Sequence, residues 1–92
     1  ILDSNHTQEH VMKELNFYSK LVTKNSYCIV FDTIIGKMNK KLYPDRPWDF
    51  NNNPLQAVKK FLKNNKNFVS DKLIDNKLLI SVSPEGYLKK IK

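Results

Sequence analysis

Ninety-two residues allow one domain at most, and a chain of that size buries only about 60–65% of the surface it exposes unfolded. A single cysteine, Cys28, excludes an internal disulfide, and no apolar run approaches the ~18–20 residues needed to span a bilayer. The net charge of +7 raises nucleic acid as a partner, but fifteen of the sixteen cations are lysines spread over several segments. Only Arg46 offers the planar fork that grips phosphate, so nucleic acid is a minor reading. Cys28 lies inside the apolar run Tyr27-Cys28-Ile29-Val30-Phe31 and reads as a buried thiol in a reducing, cytoplasmic setting. The start is not that of a secretory leader. Ile1-Leu2-Asp3 reads as the tail of a strand already under way, which points to a fragment of a longer protein.

Taken in chain order, that first strand ends at Asp3, and Ser4-Asn5-His6-Thr7 is a cluster suited to capping a helix. Asn5 or Thr7 is the cap. The helix runs to about Val22, with Val11, Leu15, Tyr18, Leu21 and Val22 as its apolar stripe. Asn25 suits the left-handed position beyond it. Tyr27 to Phe31 shows no alternation, as in a strand covered on both faces of a parallel sheet. Strand, helix and strand within about thirty residues make a βαβ unit.

Residues 33 to about 52 form a long connection of the kind that serves as a lid or binding loop. Asn53-Pro54 opens a second helix, a cap residue followed by proline at the first helical position. Leu55, Val58, Phe61 and Leu62 form its buried face. Phe68 to Lys72 reads as a short strand, Leu73 to Asn76 as a turn, and Leu78 to Val82 as another strand, the last two strands forming an antiparallel hairpin. Ser83-Pro84-Glu85-Gly86 is a turn, and Tyr87 to Ile91 is an extended segment or a frayed tail. The expected order is β-α-β-loop-α-β-β in an α/β fold, a mostly parallel sheet ending in an antiparallel hairpin.

Ligands of open α/β sheets bind beyond the carboxyl ends of the strands. Asp3 and Asp32 fall there on successive strands, where neighbours lie roughly 4.8 Å apart. Two carboxylates so placed suit Mg²⁺, which lowers the pKa of a substrate hydroxyl; the simpler alternative is that they cap the following segments. Asn5 is a second oxygen ligand or only a cap. His6 is a general base, a substrate contact, or a local hydrogen-bonding residue. His10 reads as a surface or groove residue, and with His6 it lacks the further ligands that zinc requires. In the long loop, Tyr43 and Trp48 are apolar walls and Arg46 an anchor for substrate, or else Trp48 merely pins the loop.

The ordered set Leu2-Asp3-Ser4-Asn5-His6-Thr7 with His10-Val11, Tyr18, Leu21-Val22, Ser26-Tyr27, Val30-Phe31-Asp32-Thr33, Asn53-Pro54 with Ala57-Val58 and Phe61-Leu62, and Pro84-Glu85-Gly86-Tyr87-Leu88 resembles the cephalosporin hydroxylase and rhamnosyl O-methyltransferase family. The resemblance spans essentially the whole chain. It implies the C-terminal half of a Rossmann-like methyltransferase fold that binds S-adenosylmethionine and a divalent cation, usually Mg²⁺. It also implies action on a hydroxyl of a sugar or small natural product. Asp32 matches a metal-ligand position, and the first-strand ligand falls on Asp3 or Asn5. Relatives often carry an acid where this chain has Phe31. The Gly-rich turn that holds the cofactor in such folds is absent, since the chain has only Gly36 and Gly86. The resemblance therefore implies a missing N-terminal half or another subunit, and exposed apolar faces suggest a homo-oligomer. The alternative is a non-catalytic, degenerate domain used for binding or assembly.

Overall fold

The computed structural model describes residues 1–3, 7–37, 52–78, 81 and 83–92. Helix α1 spans Gln8–Tyr18 and continues as a 3-10 turn, Ser19–Leu21. Thr7 stands at its cap position in an extended conformation. Strand β1 is Tyr27–Ile29, followed by a 3-10 turn at Thr33–Lys37. Helix α2 spans Pro54–Asn64, strand β2 Phe68–Ser70, helix α3 Lys72–Leu78 and strand β3 Tyr87–Lys90.

Helix α2 starts as the sequence predicts. The Asn53 side chain accepts a hydrogen bond from Gln56 N at 3.2 Å, Pro54 fills the first turn, and Leu55, Val58 and Phe61 are buried. Asn25 has φ of 70°, the left-handed turn expected after the first helical segment. The helix itself is shorter than its apolar stripe. Val11 and Leu15 are buried, whereas Tyr18 and Leu21 are exposed.

In the last third of the chain one expectation is corrected, and of the two readings of Tyr87 to Ile91 the extended segment holds. The stretch assigned to a turn at Leu73–Asn76 belongs to helix α3. Asp71 supplies its start, its carboxylate accepting from Leu73 N at 3.0 Å and Ile74 N at 3.4 Å. A carboxylate that caps free amides outweighs the short apolar run that suggested a strand and turn. Tyr87–Lys90 is no frayed tail but the central strand of the sheet, in the order β1-β3-β2. The expected hairpin partner at 78–82 lies largely outside the described residues.

Strand β3 pairs antiparallel with both neighbours: Cys28 faces Leu88, and Leu88 also faces Ser70. The three-stranded sheet is thus antiparallel, unlike the parallel sheet expected. Because β1 and β2 both oppose β3, they run in the same direction as each other. The chain start adds a parallel bridge, Leu2 with Val30. Cys28, Val30, Leu88 and Phe68 face the helices and join Val11, Leu15, Ala57, Val58 and Phe61 in one core. Phe61 meets Phe68 edge to face at 5.5 Å between ring centres. Lys90 crosses this core edge, its ammonium donating to Val22 O at 2.9 Å and lying 5.9 Å from the centre of the Phe68 ring.

Candidate functional site at the end of the first strands

The site begins with the backbone at Leu2. Its N–H donates to Ile29 O at 2.8 Å, and Phe31 N–H donates back to Leu2 O at 3.0 Å. These two bonds make the isolated parallel bridge between Leu2 and Val30. It fixes where the two carboxylates fall. Asp3 follows Leu2 by one residue and Asp32 follows Val30 by two, so both leave at the same end of adjacent segments. Asp3 is exposed; Asp32 is half-buried.

Asp32 has φ of 60°, a left-handed conformation that aspartate tolerates better than most residues. That conformation turns the chain sharply out of the strand into the 3-10 turn, where Ile35 N–H donates to Asp32 O at 3.1 Å. The next residue, Thr33, is completely buried, and its hydroxyl donates to Pro84 O at 2.5 Å. Val30 N–H donates to Gly86 O at 2.9 Å. Gly86 is needed there because a Cβ would lie 2.2 Å from Val30 O. Thr33 and the 83–86 turn were not singled out as site residues. The sequence signal was the Pro84-Glu85-Gly86 cluster beside a strand-end threonine.

The amino end of α1 opens on the same side. Gln8 N–H donates to the Asn52 side chain at 2.7 Å, which ties the start of α1 to the segment leading into α2. A cavity of about 420 Å³ lies along these two helices, lined among others by Gln8, Met12, Asn52 and Lys60. His10 faces Glu14 at 3.3 Å on the surface of α1. Cys28 is buried, and burial is the main cause that pushes its thiol pKa up. Such a thiol is a core group, not a nucleophile.

Two carboxylates and their water or substrate neighbours suit a hard cation by donor chemistry. Among the described residues no group of three or more His, Cys, Asp or Glu comes together. Phe31 contributes no oxygen. Asn5, His6, Tyr43, Arg46 and Trp48 lie outside the described residues. No described helix is long and apolar enough to cross a membrane.

No curated protein and no solved structure matches the chain. The family described as rhamnosyl O-methyltransferase/CmcI matches residues 1–91. That span takes in both strand-end aspartates, the Thr33 hydroxyl and the turn it reaches. A match over nearly the whole chain places this protein in the rhamnosyl O-methyltransferase/CmcI family.

Proposed function

We propose that this chain is the C-terminal half of a Rossmann-like, metal-assisted O-methyltransferase domain acting on a hydroxyl of a sugar or small natural product. Family membership supports O-methyl transfer and the use of S-adenosylmethionine. The observation that carries the reading is the parallel bridge between Leu2 and Val30, since it sends Asp3 and Asp32 out at one end. The codirectional β1 and β2 around an antiparallel β3 support the fold assignment.

When bound, S-adenosylmethionine supplies the methyl group and Mg²⁺ polarises the acceptor hydroxyl. Asp3 and Asp32 hold the cation, with Asn5 as a further or competing oxygen ligand. His6 lines the site and accepts the hydroxyl proton on an imidazole nitrogen. Tyr43, Trp48 and Arg46 in the 34–50 loop cover and anchor the acceptor. The cofactor is held mainly by an N-terminal half or another subunit. Ile1, Phe17 and Leu21 support such a contact, being 77%, 70% and 73% exposed. The buried Cys28 supports a reducing, cytoplasmic setting.

Isothermal titration of the protein carrying both halves tests this reading. Binding of S-adenosylmethionine and of Mg²⁺, with loss of the Mg²⁺ signal in Asp32→Asn, is the expected result. Failure to bind either would sink it. Phe31 favours a second reading, a degenerate domain that binds or assembles without catalysis. Cofactor binding with no methyl transfer to any hydroxyl acceptor, and no metal binding, would select that reading.

A further inference from the structure

The 83–86 turn is fastened to four separate parts of the fold. Glu85 N–H donates to the Asp75 carboxylate of α3 at 2.9 Å, and the Ser70 hydroxyl of β2 donates to Glu85 O at 2.9 Å. Lys37, closing the 3-10 turn, pairs with the Glu85 carboxylate at 3.1 Å. The fourth tie is to the end of β1. It is double, and its two bonds bracket Asp32: Val30 N–H to Gly86 O before it, and the Thr33 hydroxyl to Pro84 O after it.

A residue held at positive φ persists only where its surroundings over-determine the backbone. Here those surroundings include the two bonds to one turn, beside the bond from Ile35 N–H to Asp32 O. Valine has the shape to fill the buried space of Thr33, but it has no hydroxyl to reach a carbonyl. The hydroxyl therefore does more than pack. It sets the direction in which the chain leaves Asp32, and with it where the carboxylate is presented.

We propose that Thr33 is a positioning residue for Asp32, acting through the 83–86 turn as a clasp. The proposal rests on the reading of Asp32 as a metal ligand. Groups that orient a ligand from behind typically alter metal affinity by about 10–100-fold when removed.

The test is Mn²⁺ binding, followed by electron paramagnetic resonance, in the protein carrying both halves. Asp32→Asn should abolish binding. Thr33→Val should weaken it by about tenfold, and Thr33→Ser, which keeps the hydroxyl, should restore it. Ser70→Ala, which loosens the turn from its far side, should weaken it by about threefold. Affinity for S-adenosylmethionine measured without metal should hold in all four, which a general loss of structure would not allow. If Asp32→Asn abolishes binding while Thr33→Val leaves it unchanged, the clasp is refuted and the metal reading stands. If Asp32→Asn binds Mn²⁺ as well as the wild type, the metal reading falls and takes the clasp with it. Should Thr33→Val fail to fold, an unchanged Ser70→Ala in the presence of Asp32-dependent binding overturns the clasp.

Discussion

Gly86→Ala tests the contact on which the strand-end geometry depends. An added Cβ would meet Val30 O at 2.2 Å, against an ordinary contact of 3.4 Å or more. The obstacle is backbone, so no side chain can swing aside. The strands must part by about 1 Å, which stretches the Val30 N–H to Gly86 O bond of 2.9 Å past bonding distance. Overpacking of this kind costs about 1–3 kcal/mol. A buried N–H left without a partner costs about 1–3 kcal/mol more. A loss on the order of 3 kcal/mol is a large share of the ~5–15 kcal/mol typical of folded domains. Urea unfolding followed by far-UV circular dichroism reads it directly. With a slope of about 1–3 kcal/mol/M the midpoint should fall by roughly 1–3 M. A variant within about 0.5 kcal/mol of the wild type would refute the steric argument.

Asn53→Ala removes the α2 cap and should cost about 1–2 kcal/mol in the same unfolding assay, with Asn53→Asp retaining most of it. Ser83→Ala should be neutral or stabilising by urea midpoint, because the Ser83 hydroxyl is buried with no hydrogen-bond partner among the described residues. Tyr27 donates its hydroxyl to Asp71 at 2.6 Å, and this bond holds the Asp71 carboxyl below its ordinary pKa while raising that of the phenol. Tyr27→Phe should therefore bring Asp71 back toward the ordinary carboxylate range, read from its carboxyl carbon shift in an NMR titration. Burial raises the Cys28 thiol pKa, so the unfolded chain ionises first. Stability from this group is full below the ordinary thiol value of about 8.5 and is lost as pH rises through the higher folded value. Cys28→Ala should remove that part of the alkaline loss, as measured by urea midpoints across the range.

The parts of the fold legible in sequence were those set by local chemistry. Asn53-Pro54 named a helix start, Asn25 a left-handed turn, and the apolar run at Tyr27 a strand, although burial in it alternates, with Cys28 and Val30 buried and Tyr27 exposed. The parts left open or misread depend on partners outside the local sequence. Tyr87–Lys90 has no apolar run of its own, with two lysines among four residues, and becomes a central strand because β1 and β2 flank it. Helix α3 follows from Asp71, whose capping role was hidden by the apolar residues around it. At the site, Asp3 and Asp32 follow Leu2 and Val30, which pair in a parallel bridge. Thr33 was not legible, because its importance lies in a carbonyl fifty-one residues away.

The central place of β3 has a consequence for how the chain is made. Tyr27 pairs with Lys89, so β1 waits for a partner about sixty residues downstream. Among the described residues, β1 and β2 meet only through that late strand. During synthesis all three helices and both outer strands leave the ribosome before the piece that joins them. Until β3 emerges, the apolar sides of Cys28 and Phe68 have no central strand to join. The sheet closes only when β3 arrives, and a chain cut just short of Tyr87 would lose the strand that links β1 to β2.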